Sequence, residues 1–267
     1  MTLSSFTHST PYELLKHIKI VMVGTTLPAN IGSAARSMHT MSLQKLTIVN
    51  PKRPIDDSSI ANAAGAQTVL QNVQITQNIH QALEDCTLIF AASARSRHIP
   101  RPVVTPNQAS ALIYQHLQSN DSLNCQIVIL FGREDRGLTN EELSLADYHI
   151  QIPANPDYPV LNVAAAIQVI SADLYAYFSQ KAQNFTDKSA KNTLPIITRT
   201  DWDVPAINFQ QKQLLEQHLT QLLIDLNLAR DNELKDLPNR LSRLTSRMQL
   251  DQKEYALIQA LIAKLSL

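Results

Sequence analysis

Three short stretches set polar side chains beside backbone that must stay open: Asn30-Ile31-Gly32 with Arg36, Phe131-Gly132-Arg133-Glu134 with Gly137-Leu138, and Pro153 through Leu161-Asn162. The Arg36 guanidinium is planar and permanently charged, which suits two-point contact with a phosphate. Asn30 can cap the helix that starts there, and Gly32 lets something approach the backbone. Pro153, Pro156 and Pro159 force a rigid, non-helical loop. Its backbone N–H and C=O groups stay free to bind a purine edge.

A fourth stretch, Ala91-Ala92-Ser93-Ala94-Arg95-Ser96-Arg97, places small residues and two arginines after an apolar run. Small residues suit close packing of an adenine ring or ribose, and the arginines read either as phosphate contacts or as a charged loop near a sheet edge. Thr139-Asn140-Glu141-Glu142 is a capping box that starts the next helix. The box does not account for Gly132 and Glu134 in the same loop. Other chemistries are disfavoured: the chain has five glycines and no G-x-G-x-x-G, no Walker-type lysine loop, no G-x-S-x-G elbow and no metal-ligand spacing.

The elements that position these residues follow from hydrophobic patterning. Ile18–Val23, Leu46–Val49, Thr87–Ala91, Ile127–Phe131 and Tyr148–Ile152 are short runs rich in Ile, Val and Leu, predicting parallel strands covered on both faces. Helix-like stretches alternate with them at Ile31–Met41, Ser59–Ala64, Ile79–Glu84, Gln108–Gln118 and Asn140–Ala146, so a doubly wound α/β sheet is expected. A long helix is predicted over Val160–Phe178. The domain reading is a catalytic domain at 1–178, a polar linker at 179–200 and a small helical domain at 201–267, with helices at Gln210–Leu226, Pro238–Met248 and Gln252–Leu265.

In the last domain, Arg240, Arg243 and Arg247 fall at i, i+3 and i+7 and share one helix face, which is either solvated or a phosphate contact. Trp202 either anchors the domain or stacks on a base. Lys plus Arg and Asp plus Glu are each 23, so attraction to a polyanion must come from local clustering. Cys86 and Cys125 read as reduced, buried thiols. No cationic segment followed by an apolar stretch opens the sequence and no window could span a bilayer, so a soluble, cytoplasmic protein without a membrane partner is expected.

Taken in order, these motifs resemble those of the SpoU-type, knotted RNA 2′-O-ribose methyltransferases. The resemblance is strongest to the branch acting on cytidine or uridine at nucleotide 32 of the tRNA anticodon loop, and Asp201-Trp202-Asp203-Val204-Pro205 extends it to nearly the whole chain. It implies a trefoil-knotted α/β domain, S-adenosylmethionine as cofactor, tRNA as partner, a homodimer and no metal. Asn30 and Arg36 would face the ribose and phosphate. Arginine is rarely neutral, so Arg36 is read as orienting the ribose and stabilising the developing alkoxide.

Ala92, Ser93, Ala94, Gly132, Glu134, Ile152, Pro159, Val160, Leu161 and Asn162 would form the cofactor site, with Ile152 and Leu161 enclosing the adenine and Asn162 supporting the knot. Arg95, Arg97, Arg240, Arg243 and Arg247 would contact RNA. The chain departs from the family pattern at Ala91 and Ala92, where Gly-Thr is usual, and at Val160, where Ser is common. The alternatives are methylation at another tRNA or ribosomal RNA site, or a silent RNA-binding module.

Overall fold

The computed structural model describes residues 11–93, 101–119, 126–186, 199–230 and 234–266. The chain divides into two units, 1–189 and 190–267. The first unit runs α1 (Pro11–Leu14), β1 (Ile18–Val23), α2 (Pro28–Thr40), β2 (Lys45–Val49), α3 (Asp57–Ala63), α4 (Gln67–Gln71), β3 (Gln74–Thr76), α5 (Ile79–Leu83), β4 (Leu88–Ala92), β5 (Val103–Val104), α6 (Pro106–Ser119), β6 (Ile127–Phe131), α7 (Asn140–Leu143), β7 (Tyr148–Ile150) and α8 (Val163–Thr186). The second holds α9 (Phe209–Asp225), α10 (Leu237–Met248) and α11 (Gln252–Leu265).

The seven strands pair in the order β3-β2-β1-β6-β4-β7-β5, every pair parallel. Both β1 and β6 are buried along their whole length. Alternate side chains serve opposite faces. Ile18, Ile20, Met22, Ile127, Ile129 and Phe131 join Ile31 and Met38 of α2, Ile113 of α6 and Ile167, Ile170 and Phe178 of α8. Val21, Val23, Val128 and Leu130 pack on the other side with Ala82 of α5 and Leu143 of α7. This period of two between two helical layers is why the strands show no polar alternation.

Later strands are inserted between earlier ones, β6 between β1 and β4, and β7 between β4 and β5. Such an order accommodates the trefoil threading implied by the resemblance. Because all strands run the same way, the loops after β1, β2, β4, β6 and β7 emerge at one edge, where open α/β sheets bind ligands.

The edge strands β3 and β5 were not legible as apolar runs, because each is only two or three residues long and carries exposed positions. The helix α8 continues through residues 179–186, which were expected to be linker, since polar residues without Gly or Pro do not stop a helix. Residues 187–198 of that linker lie outside the described residues.

In the second unit Leu215, Leu222, Leu250 and Ile262 form a small core. Arg199 pairs with Asp251 at 2.9 Å and Glu254 at 2.6 Å, and its guanidinium lies over the Trp202 ring at 4.6 Å from the centroid. Trp202 Nε1 donates to the Arg199 carbonyl at 3.0 Å, so the tryptophan is an anchor within its own unit. Cys86 is half-buried, and burial pushes its thiol above the ordinary value; Cys125 lies outside the described residues. No described helix is long and apolar enough to cross a membrane, and no described cluster of His, Cys, Asp and Glu could hold a metal ion.

Candidate active site

Helix α2 starts at Pro28, two residues before Asn30, so Asn30 is not its cap as the sequence suggested. The residue at the cap position, Leu27, has no side chain that can accept a hydrogen bond. The missing acceptor comes from the loop after β6. The Glu134 carboxylate accepts from Thr26 N at 3.0 Å, Thr26 Oγ1 at 2.7 Å and Leu27 N at 3.3 Å. A carboxylate at a helix N-terminus also meets the positive end of the helix dipole.

Asn30, buried in the first turn of α2, donates from Nδ2 to Glu134 Oε1 at 2.8 Å. Its Oδ1 accepts from Asn162 Nδ2 at 3.3 Å, and Asn162 Oδ1 accepts from Ala164 N at 2.8 Å at the start of α8. Glu134, Asn30 and Asn162 thus tie the loops after β6, β1 and β7 into one relay. Burial alone would raise the Glu134 carboxyl, but hydrogen bonds from Thr26 and Asn30 outweigh it and hold the group below its ordinary value. Both ends of the Asn30 amide are engaged in this arrangement.

Arg133, next in the same loop, makes a two-point pair with Glu142, both contacts 2.9 Å. Glu142 also accepts from Thr139 N at 2.8 Å, completing the capping box of α7. Hydrogen bonding to Glu142 raises the Arg133 guanidinium above its ordinary value. The residues between them turn back tightly, with Arg133 and Gly137 bridged antiparallel and Gly137 at φ +72°.

Two glycines lie hard against the protein's own backbone. A Cβ on Gly132 would overlap the Gly137 carbonyl carbon and the Leu138 nitrogen, and one on Gly32 would overlap the Ser59 carbonyl oxygen. What approaches each glycine closely is the protein's own backbone. Gly32 lets α2 lie against α3, and Gly132 lets its loop close on itself.

A cavity opens at this edge, walled by Phe131, Leu138, Ile152, Leu161, Val163 and Ala166 and edged by Ser93, Arg133 and Glu134. Of the proposed cofactor residues it brings together Ala92, Ser93, Gly132, Glu134, Ile152, Pro159, Val160 and Leu161. Asn162 and Asn30 are not in its lining and stand behind it in the relay. Val160 and Leu161 are 51% and 40% exposed, a large share for apolar side chains at a cavity mouth. Ala94, Arg95 and Arg97 lie outside the described residues.

Arg36 does not line the cavity. It sits on the exposed stripe of α2, roughly 9 Å along the axis from Asn30, and no ion pair or hydrogen bond engages its guanidinium among the described residues. Arg240, Arg243 and Arg247 lie in the second unit, on the exposed face of α10, and likewise have no acidic partner among the described residues. Sequence reasoning missed Thr26 and Leu27 as the capped backbone, and the Arg133–Glu142 pair. The spacing of Glu142 three residues after Thr139 was visible, but its second role as partner of Arg133 was not.

The SpoU rRNA Methylase family model matches residues 17–172. The chain is 33% identical over 250 residues to the tRNA (cytidine/uridine-2′-O-)-methyltransferase TrmJ of Pectobacterium atrosepticum, covering 94% of this chain and 97% of that protein. It is 30% identical over 252 residues to the tRNA (cytidine/uridine/adenosine-2′-O-)-methyltransferase TrmJ of Pseudomonas aeruginosa, covering 94% of each. Among solved structures, a probable methylase family protein from Haemophilus influenzae superposes with a TM-score of 0.57 at 31% identity, over 94% of this chain and 96% of that one. The matched residues hold every loop that meets at the cavity, together with the helix that Glu134 caps, and by that match the chain belongs to the SpoU rRNA methylase family.

Proposed function

We propose that the protein is an S-adenosylmethionine-dependent tRNA 2′-O-methyltransferase. Its target is the ribose of cytidine or uridine at nucleotide 32 of the anticodon loop, and it works as a cytoplasmic homodimer. The observation that carries the reading is the Glu134–Asn30–Asn162 relay, which holds three loops around one cavity at the carboxyl edge of the sheet. The names of the TrmJ relatives, similar along nearly their whole length, supply the substrate class.

The cavity fits the cofactor. Ile152 and Leu161 offer apolar walls for an adenine, and the backbone N–H groups of Ile152, Val160 and Leu161 have no partner among the described residues. When bound, S-adenosylmethionine supplies a methyl group already activated by its sulfonium charge. The protein's task is therefore to position the 2′-hydroxyl in line and to exclude water. Glu134 fixes the first turn of α2, and so the path of the helix that carries Arg36. The Arg36 guanidinium orients the ribose through its phosphate and stabilises the negative charge that develops on the 2′-oxygen. Arg240, Arg243 and Arg247 add phosphate contacts from the second unit, and the 201–267 segment serves as the tRNA-binding extension.

The test is methyl transfer from labelled S-adenosylmethionine to unmodified tRNA, followed by mapping of ribose methylation. Label at nucleotide 32, lost when that 2′-hydroxyl is replaced by hydrogen, is the expected result. Label at another nucleotide, or only in ribosomal RNA, overturns the assignment of the site.

A further inference from the structure

Lys52 and Arg53 lie on the loop from β2 to α3, flanked by Pro51 and Pro54, and both side chains are exposed. The chain enters this loop through Asn50 at φ +47°, whose N–H donates to the Thr76 carbonyl at 2.7 Å. Lys52 N donates to the Thr25 carbonyl at 2.9 Å. Thr25 directly precedes Thr26 and Leu27, the backbone held by Glu134. The two cations are therefore carried on a backbone tied to the frame of the candidate active site.

Neither side chain has an ion pair or hydrogen bond among the described residues. The nearest acid along the chain, Asp56, is turned to the cap of α3, where it accepts from Ser58 N at 3.0 Å, Ser59 N at 3.2 Å and Ser58 Oγ at 2.6 Å. Asp57, the next residue, is the other exposed acid nearby in sequence. By contrast, Arg133, at the cavity, is neutralised by Glu142. In a chain with 23 basic and 23 acidic residues, a rigid loop with two adjacent unpaired cations is a local excess of positive charge. Prolines and backbone hydrogen bonds lower the ordering cost of binding there.

The loop also leads into the seam that carries Arg36. Helix α3 packs on α2 where Ser59 meets Gly32, and Arg36 lies one turn beyond Gly32 on the same side of α2. We propose that Lys52 and Arg53 bind backbone phosphates of the RNA substrate beside the target nucleotide, forming with Arg36 a basic border along the α2–α3 seam. This assignment rests on the RNA-methyltransferase reading above.

The experiment compares the full-length protein with a Lys52→Gln/Arg53→Gln double variant. The readouts are tRNA binding between roughly 50 and 200 mM salt, steady-state methyl transfer, and S-adenosylmethionine affinity. Loss of two phosphate contacts should flatten the log–log salt slope by about 1.4 to 1.8 and raise KM for tRNA. The kcat at saturating tRNA and the cofactor affinity should stay as in the parent. If the parent binds and methylates tRNA while the variant keeps its slope and KM, the phosphate assignment alone is overturned. If the variant loses cofactor affinity or thermal stability, the loop is structural and the assignment is equally overturned. A parent that neither binds nor methylates RNA defeats the underlying reading, and this assignment with it.

Discussion

The Glu134 carboxylate accepts from both the backbone N–H and the hydroxyl of Thr26, at 3.0 and 2.7 Å, although the two residues are 108 positions apart. The loop after β6 thereby caps the helix after β1. Adjacency of β1 and β6 in the sheet makes the contact possible, since parallel neighbours deliver their following loops to the same place.

Replacing Glu134 by Gln should destabilise the first unit by about 1–2 kcal/mol at neutral pH, because a charge-assisted cap becomes a neutral one with its amide hydrogens facing other donors. The folded carboxyl lies below its ordinary value of 4.5. Its contribution is therefore complete above that pH and is lost as pH falls through the folded value. Urea titrations of parent and variant should show a stability gap that narrows below about pH 4.5. A gap unchanged down to pH 3 would mean that the carboxylate charge is not what stabilises the cap.

Arg36→Ala should nearly abolish methyl transfer, by about a hundredfold or more, while S-adenosylmethionine affinity stays within a few fold. Its exposure and lack of partners predict a stability change within about 0.5 kcal/mol. Single-turnover kinetics with calorimetry of cofactor binding separate the two effects. Full activity, or loss of cofactor binding, would remove Arg36 from the ribose side.

Gly132→Ala places a methyl group into the Gly137–Leu138 backbone, which cannot yield as a flexible side chain would. A loss of about 1–3 kcal/mol is expected, together with weakened cofactor binding under conditions where the variant remains folded. Thermal melts of the free and cofactor-loaded protein provide the measurement. A variant as stable as the parent would contradict the close approach of these loops.

Removing Arg240, Arg243 and Arg247 together, each to Gln, should reduce the salt slope of tRNA binding by about two to nearly three while leaving cofactor affinity unchanged. Filter binding over a salt series tests this. An unaltered slope would make the stripe a solvated face and leave RNA recognition to the first unit.

Much of this protein follows from local sequence. The runs at Ile18–Val23 and Ile127–Phe131 are apolar on both sides apart from Lys19, as a strand between two helical layers requires, and both strands occupy those residues. Thr139 and Glu142 announced their capping box through spacing alone, and α11 spans the predicted Gln252–Leu265. What tertiary structure decided was the work of individual polar side chains. Asn30 looked like a cap because its chemistry and place suit one, yet the helix begins earlier and its amide joins Glu134 to Asn162. Gly32 and Gly132 marked close approach, but the sequence could not say that α3 and the Gly137–Leu138 turn are what approach them. The physical reason is range: helix and strand periods, caps and breakers act over a few residues, whereas these partners meet only once a parallel sheet has set non-consecutive strands side by side.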